Sequence, residues 1–339
     1  MKINNRRYTG SKYKLMPWIK EIILKKCPKR SILFDVFGGT GVVTAELLDV
    51  FDSAIINDFL YSNEVIYNAF FGKEKINEKK LSTFEKKYNS IERVKLEDNY
   101  ISDNFGGKFF KYNDSKLIGF IREDIENALN KKTINKREFN VLLASLLYSL
   151  DRCANTVGHY DAYIKGKEIR ADFIFELIEP IITNKEVKIY RMDANILAKS
   201  VSADVAFVDP PYNSRQYSRF YHVLETITKW DKPKLTGTAM KPPEENMSEY
   251  CRNSAPETFD DLIKNLNVKY IVVTYNNTYD SKSSSSRNKI TLEQIKEILN
   301  RKGRTEVFEK EYHRFNAGKT DTTEHKEMVF ITEVMNKNG

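Results

Sequence analysis

The 339-residue chain has little cysteine and little histidine: three of the first, four of the second. Cys27, Cys153 and Cys251 lie far apart and are odd in number, which excludes a disulfide framework and a paired-cysteine zinc site. They read as buried thiols of a reducing compartment. The scattered histidines form no ligand spacing, so no metal is expected. Long apolar runs are also missing. The longest, around Val141 to Leu150, falls short of the roughly twenty residues a membrane helix needs. The start, Met1-Lys-Ile-Asn-Asn-Arg-Arg7, carries no apolar signal-peptide region. No membrane association is expected, and the expected location is the cytoplasm. No internal repeat is visible.

What is present is a basic, wet-surfaced chain with enough apolar residues for a core. Lys and Arg total 55 against 47 Asp and Glu, a net charge of +8, and 41% of residues are hydrophobic. A cationic surplus favours a polyanionic partner, nucleic acid before membrane. The length fits one large α/β domain with an insertion, or two domains.

The chain centres on Asp204-Val-Ala-Phe-Val-Asp209-Pro-Pro-Tyr212. Its apolar run reads as a short buried strand. Ligands of open α/β sheets bind just past the carboxyl ends of strands. There the two prolines fix φ and donate no hydrogen bond, leaving a stiff turn with bare carbonyls. Asp209 and the Pro210 carbonyl would present two acceptors side by side, with the Tyr212 ring beside them. That arrangement suits a flat ligand carrying an NH2 group; the plainer reading is a strand, a Pro-Pro turn and a capping Asp.

Upstream, Ser31 to Val36 reads as a buried parallel strand running into Asp35-Val-Phe37-Gly-Gly39-Thr-Gly41 and a helix over Val42 to Val50. Strand, glycine turn and helix form the grammar of nucleotide binding. Only Gly39 and Gly41 fit a G-x-G-x-x-G fingerprint, because Thr44 stands at the third site, which disfavours a nicotinamide enzyme. The pattern suits a non-phosphorylated ligand lying against the backbone, such as an adenosyl–amino-acid cofactor. The strand Ala54 to Asp58 ends in an acid that suits either two ribose hydroxyls or a helix N-cap. Tyr8-Thr-Gly10-Ser-Lys12 precedes a helix with Pro17 in its first turn; it suits either an anion held on backbone N–H groups or an N-cap with a solvated lysine.

Further strands are expected at Val187 to about Asp193, Lys269 to Tyr275, Thr305 to Tyr312 and Lys326 to Glu333, the last two as an antiparallel pair. Helices are expected over Leu60 to about Val94, Lys136 to Cys153, the stretch after Tyr217 to Trp230, Thr291 to Asn300, and around Asp172 to Ile178. Asn99 to Arg122 changes character: Gly106 to Asn113 reads as an irregular stretch mixing glycines, cations and aromatics that suit phosphates and unstacked bases; a simple loop anchored by Phe109 or Phe110 is the alternative. Asp151 to Lys165 is dense in polar and aromatic residues, the composition of a site-lining loop. Asp231 to Pro256 reads as a long loop, and Asp280 to Asn288 as a serine-rich one.

These motifs, in this order, resemble the adenine-specific DNA methyltransferases of the Dam-like, α-type motif order. Asp209-Pro-Pro-Tyr212 matches their catalytic motif, Phe37-Gly-Gly-Thr-Gly41 their cofactor motif, and Gly10-Ser-Lys12 the basic motif preceding it. Asn213-Ser-Arg215-Gln-Tyr217 and Ala154-Asn155 to Tyr163 are most similar to the FokI-type restriction–modification branch. The resemblance implies an α/β fold with a seven-stranded, mostly parallel methyltransferase sheet, and S-adenosylmethionine as cofactor. It implies that Phe37, Gly39 and Gly41 line the methionine and ribose, that Asp58 takes the ribose hydroxyls, that Asp193 faces the adenine and that Lys12 meets the carboxylate. Tyr8 and Asp35, next to these motifs, join the cofactor set. Asp209, Pro210 and Tyr212 are the catalytic set. The catalytic domain is expected over residues 1–72 and 187–339, with a target-recognition insertion over 73–186 and an extra DNA-contact loop at 231–256. Candidate DNA contacts are Lys108, Lys111, Tyr112, Arg122, Asn155, Tyr160, Arg215 and Tyr217. The expected partner is double-stranded DNA, with a separately expressed cognate restriction endonuclease as a further candidate. Methylation of cytosine's exocyclic amine or of an RNA base, and a silent DNA-binding protein of this fold, are the alternatives.

Overall fold

The computed structural model describes residues 1–277, 287–311 and 326–335. The serine-rich stretch 280–288 and the end of the strand expected to reach Tyr312 lie largely outside them. In chain order the elements are α1 (Met16–Lys26), β1 (Ile32–Asp35), α2 (Val42–Leu47), β2 (Ser53–Asp58), α3 (Tyr61–Phe71), α4 (Glu78–Asn89), α5 (Tyr100–Phe105), α6 (Tyr112–Asn130) and α7 (Lys136–Cys153). There follow β3 (Glu186–Arg191), α8 (Ala194–Ala198), β4 (Val205–Val208), α9 (Tyr217–Phe220), α10 (His222–Lys229), α11 (Ala255–Asn265), β5 (Tyr270–Asn276), α12 (Leu292–Lys302), β6 (Gly303–Glu311) and β7 (Lys326–Val334).

The chain divides into two compact units. One holds residues 12–59, 185–217 and 246–339; the other holds 1–11, 60–184 and 218–245. The first contains the sheet, seven strands in the order β3-β2-β1-β4-β5-β7-β6. The first five run parallel, and β7 is antiparallel to both β5 and β6. This is the seven-stranded, mostly parallel α/β sheet that the motifs imply. Strands buried on both faces read as continuous apolar runs: Val205 to Val208 are fully buried, as are Tyr270 to Asn276. Phe34, Val36, Ala206, Val208, Ile271 and Val273 share a core with Leu197 of α8, Phe259 and Leu262 of α11, and Ile295 and Leu299 of α12. At the amino ends of β1, β4 and β5, Asp204 accepts from the backbone N–H of Ser31 (2.7 Å) and Ile32 (2.9 Å), and pairs with Lys269. At the carboxyl ends, the buried Asn57 amide donates to the carbonyls of Val36 and Met192 and accepts from Met192 N–H, tying β1, β2 and β3 together.

The second unit is helical. Its spine is α7, whose apolar residues are buried almost throughout. Asn135 caps α7 in a reciprocal box with Glu138, the pairing that satisfies two orphan N–H groups at a helix start.

Several sequence expectations are corrected by the structure. No helix forms over Asp172 to Ile178. Phe173 and Phe175 are buried while Ile174 is 63% exposed, the period-two pattern of extended chain. Side chains serve its backbone: Asp114 accepts from Phe173 N–H, Asn89 from Phe175, Glu176 donates to Ser149 and Ile178 to Ser145. Residues 106–111 form a turn between α5 and α6, with Phe109 and Phe110 buried beneath it as anchors. The long loop stops at Ser254, because α11 starts at Ala255 with Pro256 in its first turn, where a missing N–H costs nothing. The stretch from Leu60 also breaks, between α3 and α4.

Candidate active site

Strand order reverses between β1 and β4, whose pairing runs Leu33 to Val205 through Asp35 to Phe207. Such a switch point opens a crevice past the carboxyl ends of the two strands. The turns leaving these two strands are the glycine turn and Asp209-Pro-Pro-Tyr212, so the topology itself sets them side by side.

The glycine turn is held from below and beside. Gly38 N–H donates to Asn57 O and Gly41 N–H to Gly38 O, both at 2.7 Å. Gly39 and Gly41 adopt φ of 52° and 76°, the left-handed region that costs a side-chain-bearing residue about 1–2 kcal/mol. Asp58, at the end of β2, accepts from Gly39 N–H (2.9 Å) and Phe59 N–H (2.7 Å), which fixes an acid beside the turn. Asp58 is not the N-cap of α3, a position held by Leu60 without a side-chain bond. The Phe37 ring lies edge-on to Tyr250 at 5.1 Å. The Tyr250 hydroxyl donates to Asn195, two residues beyond Asp193, which caps α8 by accepting from Asn195 and Ile196 N–H.

Asp35 sits inside the fold, 1% exposed. One of its oxygens accepts from Thr44 Oγ1 at 2.8 Å, and the other is buried without a hydrogen-bond partner. Burial pushes its pKa up to about 7; the Thr44 hydrogen bond opposes this, and the charges of Asp209 and Asp58 add to it. At 1% exposure Asp35 shapes the turn from within and presents no surface to a ligand, a correction to its place in the cofactor set.

At the second turn, Lys12 Nζ lies 2.8 Å from Asp209 Oδ2 and donates to the Tyr212 hydroxyl at 2.8 Å. Its ammonium stands 5.0 Å from the Tyr212 ring centroid. The Tyr212 hydroxyl donates to Asp209 Oδ1, and so does Thr274 Oγ1, at 2.8 Å. Burial, with Asp209 and Glu327 nearby, raises the Tyr212 pKa well above the usual phenol value, so the phenol keeps its proton and remains a donor. Tyr275 backs Tyr212, ring to ring at 4.5 Å. Lys12, placed by the motif order against a cofactor carboxylate, is paired here with Asp209.

The other candidates divide. In the helical unit Tyr8 stacks on Tyr221 at 4.8 Å, with the Arg6 guanidinium near both rings. Lys108 and Asn155 come together, the Asn155 amide donating to Lys108 O and Ile164 O. Lys111 pairs with Asp172, and the Tyr112 hydroxyl donates to Asp98. Arg122 and Tyr160 are each 2% exposed. Arg122 donates to the carbonyls of Ile227 and Thr228, and Tyr160 to Asp151. Both side chains are internal struts, which withdraws them from the DNA-contact set. In the sheet unit, Arg215 N–H donates to Asn213, and Tyr217 opens α9. Thr274, Tyr250 and Asn57 were missed. Thr274 carried a legible signal, its place at the carboxyl end of an apolar strand.

Among the described residues no group of three His, Cys, Asp or Glu is placed to hold a metal ion, and no helix is long and apolar enough to cross a membrane. All three cysteines are buried and unpaired to each other, and burial pushes each thiol up to about 12. That is the state of an inert thiol, and the site holds no cysteine nucleophile.

The seven-stranded sheet sets a glycine turn and an Asp-Pro-Pro-Tyr turn side by side at its switch point. Residues 8–278 match the family of D12 class N6 adenine-specific DNA methyltransferases, and the chain belongs to that family. It is 32% identical over 292 residues to the modification methylase LlaI of Lactococcus lactis subsp. lactis, covering 80% of this chain and 46% of that one. It is 29% identical to the type II methyltransferase M.NlaIII of Neisseria lactamica, covering 94% of this chain and 95% of that one. Identity to the type II methyltransferase M.FokI of Planomicrobium okeanokoites is 30%, over 96% of this chain and 52% of that one. The chain thus spans about half the length of the LlaI and FokI methylases and nearly all of M.NlaIII. A putative methyltransferase of Escherichia coli, yhhF, aligns at 8% identity with a TM-score of 0.27, over 96% of this chain and 89% of that one; the fold rests on the strand order above.

Proposed function

We propose that this protein transfers a methyl group from S-adenosylmethionine to N6 of an adenine flipped out of double-stranded DNA, as the modification activity of a restriction–modification system. The observation that carries the reading is the adjacency, at the switch point, of a turn suited to the cofactor and an acid–proline turn suited to an amine.

The residues fit such a cofactor. Two glycines in left-handed conformation keep side chains away from the turn, Asp58 supplies ribose acceptors, and Phe37 supplies an apolar wall. S-adenosylmethionine, when bound, supplies an electrophilic methyl group. The adenine amine is a poor nucleophile because its lone pair is delocalised into the ring. Asp209 and the Pro210 carbonyl would accept its two N–H bonds and favour a localised lone pair facing the methyl group. Asp209 would also be an acceptor for the proton that the methylated nitrogen must lose. Positioning and fixed electrostatics carry such a transfer. Flipping the base costs a few kcal/mol, against which stacking on Tyr212 would return about 1–3 kcal/mol. Lys108, Lys111, Tyr112, Asn155, Arg215 and Tyr217 remain the proposed DNA contacts, and the 231–256 stretch is a further candidate. A separately encoded endonuclease is the proposed biological partner.

Expressing the protein in cells and sequencing their DNA with modified bases called directly tests this. The expected result is N6-methyladenine in one sequence context, lost in Asp209→Ala while cofactor binding persists. No new modified base, or a modified cytosine, would overturn the reading.

A further inference from the structure

We propose that Thr274 is a positioning residue for Asp209, and that it assigns Asp209 Oδ2 to the substrate amine; this rests on the amine-methylation reading above. The parallel register pairs Val208 with Val273, so the next residues along the two strands, Asp209 and Thr274, stand beside each other. Neighbours in register point to the same side of a sheet. Thr274 is 2% exposed and belongs to a strand hydrogen-bonded on both edges, to β4 and to β7. Its side chain is β-branched and has few χ1 options.

Asp209 by contrast lies beyond the end of β4, in a turn without regular hydrogen bonding. Pro210 restricts the backbone there but leaves the carboxylate free to rotate about its own bonds. The 2.8 Å hydrogen bond from Thr274 Oγ1 to Oδ1 fixes that rotation from a rigid element. The Tyr212 hydroxyl converges on the same oxygen. Two donors on Oδ1 set the carboxylate plane and turn Oδ2 towards Lys12, whose ammonium meets it at 2.8 Å. An ammonium that donates to Oδ2 while lying against the Tyr212 ring occupies the place of an amine whose base stacks on that ring. The neighbouring Tyr275 completes the support, since its ring packs on Tyr212 and its hydroxyl lies 3.5 Å from the Tyr212 carbonyl.

The test is steady-state methylation of duplex DNA by Thr274→Val, Thr274→Ala and Thr274→Ser in the full chain, with equilibrium binding of cofactor and of DNA measured alongside. Loss of a hydrogen bond to a charged group predicts a fall of about tenfold to a hundredfold in kcat for Val and Ala. Both binding constants should hold, and Ser should recover most of the rate. The Ser and Ala variants both lack the γ-methyl and differ only in the hydroxyl, so they decide the matter even if Val misfolds. Equal rates for Ser and Ala, or losses confined to KM, would overturn the positioning role alone. A wild-type protein that methylates no DNA would overturn the function reading and this inference with it.

Discussion

At the carboxyl end of β1 a carboxyl group is held where water scarcely reaches it. Asp35 titrates near 7 in the folded protein and near 3.9 in an unfolded chain. A folded-state pKa above the unfolded one means that the native state binds more protons in that window. Stability from this group is complete below about pH 4 and is lost as pH rises through about 7. Asp35→Asn should therefore flatten the fall in urea midpoint between those limits; an unchanged slope would contradict the assignment. Tyr212 gives a second expectation. Its ring is the proposed stacking face, and its hydroxyl links Lys12 to Asp209. Methylation rates should fall in the order wild type, Tyr212→Phe, Tyr212→Ala, and a Phe variant as fast as wild type would deny the hydroxyl any part. At this scale the motif residues were legible because their chemistry depends on position relative to a strand end. Arg122 and Tyr160 were not, since a cation or phenol in a polar stretch looks the same in sequence whether it reaches solvent or a buried carbonyl.

Helices with strong 3.6-residue periodicity announced themselves: α7 spans Lys136–Cys153, as its leucine spacing predicts. Elements whose backbone partners come from far away did not. The segment near Phe175 takes its hydrogen bonds from side chains of α4, α6 and α7, which local spacing cannot reveal. The start of α11 fell inside the expected loop because the Pro, Gly and polar composition of Asp231 to Pro256 hides it, although Pro256 in a first turn is permissive. One residue ties two helix starts together. Glu138, 2% exposed, accepts from Asn135 N–H at 2.9 Å, from Asn77 N–H at 2.9 Å and from Lys80 Nζ at 2.8 Å. Asn77 and Asn135 are the N-caps of α4 and α7. Removing an acceptor of several hydrogen bonds, one of them charged, should cost about 2–3 kcal/mol. Chemical denaturation of Glu138→Ala should register this as a lower midpoint, and a shift under 0.5 kcal/mol, the scale of a neutral surface change, would deny Glu138 its capping role.

For the molecule as a whole, charge and topology carry different messages. A net charge of +8 supports a large electrostatic share of DNA affinity. If about six phosphates are neutralised, binding should weaken roughly a thousandfold between 50 and 200 mM salt. Titration by fluorescence anisotropy would show it, and a flat salt response would exclude backbone contacts on that scale. The fold class was readable because four of the five parallel strands, β1, β2, β4 and β5, are short, mostly apolar runs separated by crossover lengths. The division into units was only partly readable, because the helical unit draws on three separate segments. The strand order also has a consequence in time. The central pair of the sheet joins Leu33 to Val205. A ribosome adding about 5–20 residues per second takes roughly 10–35 s to cross the intervening stretch of about 170 residues. Once β2 (Ser53–Asp58) has been made, β1 has a partner on one edge and nothing yet made for the other. An apolar strand edge left open invites mispairing, and the largest part of the wait is the writing out of residues 60–184 of the helical unit.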